Sequence, residues 1–430
     1  MGIVNSKQLG KGSGSTSPTM NGPPPKNNLI AAFGDSRSAQ VASASFGIEN
    51  YGYMHWAKQH SGQRVVFKVE NNFGVGGDTT AMVLARIQSV LNSDAGIVVL
   101  LAGTNDRSTT DSATSIANLE QIVKQLTDAG LWVILIAELP RGDTTYSSYT
   151  LNETMFKEHL KVRKWCLDQS GRRLVKVVDI WPYWAARGST YGQAKVGMTV
   201  DGLHCSVAGS DILGYHIAQR IIEILPAAPE FPEFNNWSLY DAVNNPYGWL
   251  NTNPGVGGVG GSLGSGGSGQ LADGYSGAIG STAGALTRTY SKTADGYQRI
   301  VLGGAANSAV SQSLDLMRLA GVQGSVTPGR KIEAMVEYEL AAGHNNLMSV
   351  ELGFQYVLGG TTYYLFDGDR YSGLSELPER AIAGLLRIPP LVVPDGLTDL
   401  RVRLTVYVLD SSVPVGEIIV KGFGWRYSDV

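Results

Sequence analysis

Five short apolar runs recur through the first half of the chain: NLIAAF (28–33), VVFKV (65–69), GIVVLLA (96–102), LWVILIA (131–137) and LVKVVDI (174–180). Each is too short for a helix, and none shows the strict alternation of a half-exposed strand. They therefore read as strands buried on both faces. Amphipathic segments lie between them. In SATSIANLEQIVKQLTDAG (112–130), Ile116, Leu119, Ile122, Val123 and Leu126 share one helical face, Ser112 can cap the start and Gly130 closes the end. A second helix is expected from about Val207 to Leu225, stopping at Pro226. Such alternation predicts an α/β fold of three layers, a five-stranded parallel sheet with helices on both faces. In sheets of this type the chemistry gathers at the carboxyl ends of the strands.

The pattern changes after PAAPEFPEF (226–234). ALTRTYS, YQRIVLG, KIEAMVEYEL, SVELGFQYV, LRVRLTVYVL and EIIVKGFGW are β-rich, many alternate apolar and polar residues, and turn residues separate them, which predicts an antiparallel β-sandwich. The 430 residues thus divide into a Gly/Ser/Pro-rich arm expected to be flexible (1–27), a catalytic-type domain (28–228), a linker with a Gly-rich run at 255–269 expected to be mobile (229–270), and a sandwich (271–430). The segment from 28 to about 230 is expected to hold a core of its own. A net charge of -3 gives no pull toward nucleic acid or an anionic membrane, and no apolar run has transmembrane length. No signal-peptide core is seen in the first 26 residues. With two cysteines, Cys166 and Cys205, no disulfide framework is implied. His55, His60, His159, His216 and His344 show no metal-site spacing, and neither metal nor cofactor is expected.

Residues suited to acyl transfer follow four strand ends. Phe33-Gly34-Asp35-Ser36 ends the first run, NNFGVGGDTT follows the second, AGTNDRS the third, and DGLHCSVAG comes after the fifth. A serine hydroxyl needs a base to take its proton, and His204 can be that base. A histidine base needs a carboxylate to fix its tautomer, and Asp201 lies three residues earlier. The N–H groups of Ser36 and of one glycine among Gly74, Gly76 and Gly77, with the Asn105 amide, could hold the oxyanion. Asp35 and Asp106 read as local hydrogen-bond partners. Cys205 reads as a small packed residue, and RGD at 141–143 as ordinary loop sequence.

FGDS, NFGVGGDTT, GTND and DGLH, in that order, resemble the four blocks of the SGNH hydrolases, also called the GDSL esterase and lipase family. The resemblance spans 28 to about 225. It implies a flavodoxin-like sheet, Ser36 as nucleophile, Asp201 and His204 as its partners, and Ser36, Gly77 and Asn105 as oxyanion donors. Gly77 is chosen because it directly precedes Asp78-Thr79. Arg37 departs from the family's usual leucine, and the segment on to Glu49 is long. Two loops carry aromatics suited to a sugar's flat faces: Tyr146 and Tyr149 in 141–152, and Tyr183, Trp184 and Tyr191 in 181–199. The β-rich half resembles the jelly-roll modules appended to hydrolases in bacteriophage tail proteins, which often look like carbohydrate-binding modules. Together these resemblances imply a virion-associated or extracellular esterase acting on O-acetyl groups of bacterial surface polysaccharide. A homotrimer is expected, with a monomer as the alternative. Two other functions stay open: a broad lipid or thioester hydrolase, and a non-catalytic virion adhesin with a hydrolase-like spacer.

Overall fold

The computed structural model describes residues 22–108, 110–228, 231–279, 285–307, 312–369 and 376–428. The five apolar runs form one all-parallel sheet of strands Leu29–Gly34, Val66–Gly74, Ile97–Leu101, Trp132–Ile136 and Val175–Val178. Their spatial order is second, first, third, fourth, fifth. The runs are apolar throughout because both sheet faces are covered. Ile30, Ala32, Ile97, Val99 and Leu101 pack with Tyr53, Met54 and Ala57 and with Leu213, Ile217 and Ile221, from helices Tyr53–His60 and Val207–Ile224. The intervening Phe33, Val98 and Leu100 pack on the other face, against Leu119, Ile122, Val123 and Leu126 of helix Ser112–Asp128 and Val162 and Cys166 of helix Glu153–Asp168. Successive side chains of a strand point to opposite faces, so one unbroken apolar run serves two helix layers.

Ser112 does not cap its helix. Asp111 does, accepting a hydrogen bond from the Thr114 N–H at 2.7 Å, and the Ser112 N–H donates to Glu158 at 2.9 Å. A carboxylate at this position satisfies a first-turn donor as a serine would, and adds charge at the positive end of the helix. Residues 1–21 of the expected arm lie outside the described residues. Residues 22–27 are seated against the sheet rather than free: the Trp132 indole N–H donates to Pro23 O at 2.8 Å, and Asn27 Nδ2 donates to Asp94 O at 2.8 Å.

The second half builds two sheets facing each other. Among the described residues one has eight strands, two of which come from the first half. The other has six in sequence, with Leu391–Val392 pairing off the path. Most pairings are antiparallel, and one apolar core including Leu316, Val336, Leu352, Val406, Ile418 and Trp425 lies among them. The Gly-rich run 255–269 is not a mobile loop. Gly260–Ser262 pairs with Leu271–Ile279, and Gly267–Gly269 pairs with Thr287–Lys292. Ladder bonds need no side chains, and the buried Arg288 guanidinium donates to the carbonyls of Leu263 and Ser265 between them. The segment expected as a linker is also packed: Phe234 stacks on Trp249 with ring centroids 4.7 Å apart, and Trp249 is buried.

The first half has two apolar clusters of its own, and it also shares part of the sandwich core. Ala42–Ser43 and Gly47–Glu49, which lie just after the Gly-Asp-Ser turn, extend the eight-stranded sheet, with Gly47–Glu49 parallel to Phe366–Asp369. The long segment noted in the sequence is this edge. Trp56 and Val207 belong to the sandwich core. Lys58 Nζ reaches Asp367 at 2.6 Å, and His55 Nδ1 lies 2.9 Å from the same carboxylate. Asn50 Nδ2 donates to Met348 O at 2.7 Å, and Gln59 Nε2 to the Tyr338 hydroxyl at 3.1 Å. Sequence periodicity cannot reveal that helix Tyr53–His60 is covered on both sides; seven of its eight residues are buried.

Candidate active site

Gly34 ends the first strand with φ +153, and a Cβ there would lie 1.8 Å from Leu101 O, so only glycine lets the chain turn so close to the third strand. Asp35 then caps the short helix Ser36–Ala39. Its side chain accepts from the Arg37 N–H at 3.0 Å, and its carbonyl accepts from the N–H groups of Ser38 and Ala39. Ser36 stands at the first position of this turn. Among the described residues its N–H has no acceptor, as expected for the first turn of a helix.

His204 Nε2 lies 2.8 Å from Ser36 Oγ, and His204 Nδ1 lies 2.7 Å from Asp201 Oδ2. The other Asp201 oxygen accepts from the N–H groups of Leu203 and His204, at 2.9 and 2.8 Å. Partial burial works to raise the Asp201 carboxyl, but the bonds from the His204 ring and from these amides outweigh it and hold the group below the usual carboxylate range. The loop is held from behind. Thr199 Oγ accepts from Gly202 N–H at 3.0 Å, Val200 N–H donates to His204 O at 2.9 Å, and Thr199 pairs with Cys205. Cys205 is buried, and burial pushes its thiol up to about 11, as for a small packed residue.

Gly76 and Gly77 form the turn Val75–Asp78 beside Ser36; a Cβ on Gly76 would lie 4.0 Å from Ser36 Cβ. Gly77 has φ +82, and among the described residues its N–H has no acceptor. Asn105 Nδ2 donates one hydrogen to Asp78 O at 2.9 Å, which leaves its second donor. Arg86 ties this loop to the first strand, bonding Asp78 Oδ2, Phe73 O and Gly34 O at 2.5 Å each. Asp106 accepts from Thr80 N–H and Oγ, 26 residues away, and from Ser115 Oγ, so it bonds across the fold rather than within its own turn.

The aromatic residues divide. Tyr146 is 43% exposed, and its carbonyl and Cβ lie 2.6 and 3.0 Å from where a Cβ on Gly202 would stand, next to Asp201. Tyr149 O accepts from Arg141 Nε at 3.0 Å, and Arg141 Nη1 donates to Thr104 O beside Asn105 at 2.6 Å. Both tyrosines are therefore near the site. Trp184 is not a ligand contact: it is fully buried in the core with Cys205, because its loop folds down under helix Val207–Ile224. Tyr183 lies on His216 of that helix, with ring centroids 4.4 Å apart, and Tyr191 lies against Phe156 at 6.1 Å; both pack their loop onto neighbouring helices.

Sequence reasoning missed Asp143, Glu138 and His159. Asp143 accepts from Thr145 and Tyr146 N–H and from Thr199 Oγ, fastening the tyrosine loop to the histidine loop. Its signal was the RGD triplet, read as chance. Glu138 and His159 are buried beneath the Ser36 turn, and an acid just past an apolar strand was the available clue. Among the described residues, no group of three or more His, Cys, Asp or Glu could hold a metal ion, and no helix is long and apolar enough to cross a membrane.

Residues 32–212 match the model of the GDSL-like lipase/acylhydrolase family, and the five-stranded parallel sheet fits the SGNH fold. No curated protein matches the chain. Similar solved structures include a GDSL-like lipase from Bacteroides thetaiotaomicron, 16% identical, covering 46% of this chain and 89% of that one, with a TM-score of 0.34. An acetyl xylan esterase is 16% identical over 45% of this chain and 98% of its own, with a TM-score of 0.35. A variant acetyl-xylooligosaccharide esterase from Geobacillus is 17% identical over 47% and 97%, with a TM-score of 0.36.

Proposed function

We propose that the GDSL-like domain at residues 32–212 is a serine esterase that removes O-acetyl groups from a carbohydrate polymer, with Ser36, His204 and Asp201 as its catalytic residues. The observation that carries this reading is the unbroken relay from Asp201 through His204 to Ser36, at 2.7 and 2.8 Å, drawn together from two loops 165 residues apart (201 - 36). In the first half-reaction Ser36 Oγ attacks the ester carbonyl carbon while its proton passes to His204 Nε2. The oxyanion is met by the N–H groups of Ser36 and Gly77 and by Asn105 Nδ2. The intermediate collapses as His204 returns the proton to the leaving alcohol, and the acetyl group stays on Ser36. Water then attacks this acyl-enzyme, with His204 taking the water proton, and acetate leaves with Ser36 restored. Asp201 keeps the imidazole in the required tautomer and stabilises the imidazolium formed in each half-reaction.

A carbohydrate is favoured over a lipid by Tyr146 and Tyr149 beside the site and by the partial exposure of His204 and Asp201, whose side chains are 29% and 38% accessible. An open, aromatic-flanked site suits a hydroxyl-rich polymer that slides past. A polymer on a bacterial surface is the reading that the resemblance of the β-rich half to tail-protein modules supports. The test compares p-nitrophenyl acetate with p-nitrophenyl decanoate, using wild type and Ser36→Ala. The reading expects strong preference for acetate and a loss of at least about 10³-fold in the variant. Preference for decanoate would support the lipid hydrolase instead, and an inactive wild type would support the spacer reading.

A further inference from the structure

Arg37 stands where the family usually has leucine, directly after Ser36, and it is buried. Its guanidinium folds back on the residue before the serine. Nε lies 3.1 Å from Asp35 Oδ1, and Nη2 lies 2.9 Å from Asp35 Oδ2, while the Arg37 N–H donates to the same carboxylate. Side chain and backbone of Arg37 thus close a ring around Ser36. A second carboxylate approaches from the fourth strand: Glu138 Oε2 is 3.9 Å from Arg37 Nη2. It reaches across the end of the third strand, where Gly103 has φ +124 and a Cβ would meet Glu138 Oε1 at 2.3 Å. Asn105 follows two residues later. Glu138 accepts no hydrogen bond among the described residues. His159 Nδ1 is 3.9 Å from the same oxygen, and neither nitrogen of its ring has a partner there.

We propose that Arg37 and Glu138 are positioning residues, a buried clamp that sets the Ser36 turn against the Asn105 loop; this rests on the esterase reading. The physical need is charge balance. A buried guanidinium bonded through two nitrogens to the Asp35 carboxylate, with the Glu138 carboxyl behind it, fixes direction as well as charge. Burial opposes the Arg37 charge, but Asp35 and Glu138 outweigh it and hold the guanidinium firmly protonated. Burial pushes Glu138 up, against the pull of Arg37 and Arg107. Burial and the surrounding arginines push His159 far down, so His159 is neutral and cannot replace Arg37. The charged or titratable groups around the pair are Asp35, Tyr53, Asp106, Arg107, Arg141, His159, Arg163, Cys166 and Cys205. If Arg37 is removed, Asp35 and Glu138 remain as buried acids with less cation to share. Without the pull of Arg37 the Glu138 carboxyl, already pushed up by burial, is pushed up further, and it must ionise poorly compensated as pH rises.

The test is the pH profile of kcat on p-nitrophenyl acetate for wild type, Arg37→Met, Arg37→Lys and Arg37→Met with Glu138→Gln. Wild type should hold a plateau between about pH 7 and pH 9. Arg37→Met should lower kcat by about 10- to 100-fold with KM little changed, and the kcat should fall further across that interval. Adding Glu138→Gln should flatten the profile and recover about tenfold. Arg37→Lys should keep the plateau at reduced kcat, because an ammonium supplies charge without the fork. A plateau retained in Arg37→Met, or a double variant no better than the single one, overturns the clamp. If Arg37→Met does not fold, wild-type kcat in Arg37→Lys overturns it instead. An inactive wild type removes the esterase reading, and the clamp with it, whereas an active wild type with an unchanged Arg37→Met profile removes the clamp alone.

Discussion

Asp367→Ala should destabilise the whole chain by about 4 kcal/mol, although the residue lies in the sandwich and far along the sequence from the site. Asp367 is buried and accepts from Lys58 Nζ at 2.6 Å, with His55 Nδ1 at 2.9 Å on its other oxygen. Lys58 is equally buried, and apart from Asp367 its ammonium has the Arg387 carbonyl at 3.0 Å. Without Asp367 that ammonium keeps one neutral acceptor in a dry interface. Breaking a buried pair on one side costs about 3–5 kcal/mol, whereas replacing both partners by apolar groups can be neutral. Lys58→Met together with Asp367→Ala should therefore recover at least about 2 kcal/mol. The pH dependence gives a second handle. Burial already lowers Lys58 below the usual lysine range, against the pull of Asp367. Losing Asp367 lowers it further, so in the variant the unfolded chain binds a proton that the folded chain gives up. Stability of Asp367→Ala should then climb as pH rises toward the ordinary lysine range, and the deficit against wild type should shrink from pH 7 to about pH 9. Urea unfolding followed by tryptophan fluorescence at both pH values measures this. A loss under about 1 kcal/mol, or one indifferent to both pH and Lys58→Met, would refute the reasoning.

Two further outcomes are expected. Asn105→Ala should lower kcat on p-nitrophenyl acetate by about 10²–10³-fold with KM little changed, because the amide acts on charge that develops in the transition state; steady-state kinetics that show a KM effect alone would assign Asn105 to binding. A chain ending at residue 228 should fail to fold stably, since it uncovers Trp56, Val207 and the buried His55 and Lys58; a soluble fragment with native circular dichroism and full esterase activity would show that the shared core is dispensable.

Much of the candidate site was legible because its chemistry sits in short local patterns. Gly-Asp-Ser needs a glycine for the turn and an acid to cap it, and Asp201 and His204 sit three residues apart so that one loop presents both. What supports those residues was less legible. Asp143, Glu138 and His159 each meet a partner from across the fold. The aromatic loop at 181–199 was misjudged for a related reason. A tryptophan reads the same whether it faces a ligand or fills a core, and Trp184 fills a core.

By itself the sequence determined the two architectures. A run apolar at every position can be satisfied only by cover on both faces, and an alternating run only by one buried face; both are properties of consecutive residues. Only the tertiary structure decided how the halves join. The edge strand at Gly47–Glu49, the polar helix face carrying His55, Lys58 and Gln59, and the paired glycine run at 260–269 all look like surface or loop in one dimension. Their partners are up to 329 residues away. A backbone hydrogen bond or a buried ion pair leaves little mark on the local hydrophobic pattern, so nothing near these residues announces what will cover them.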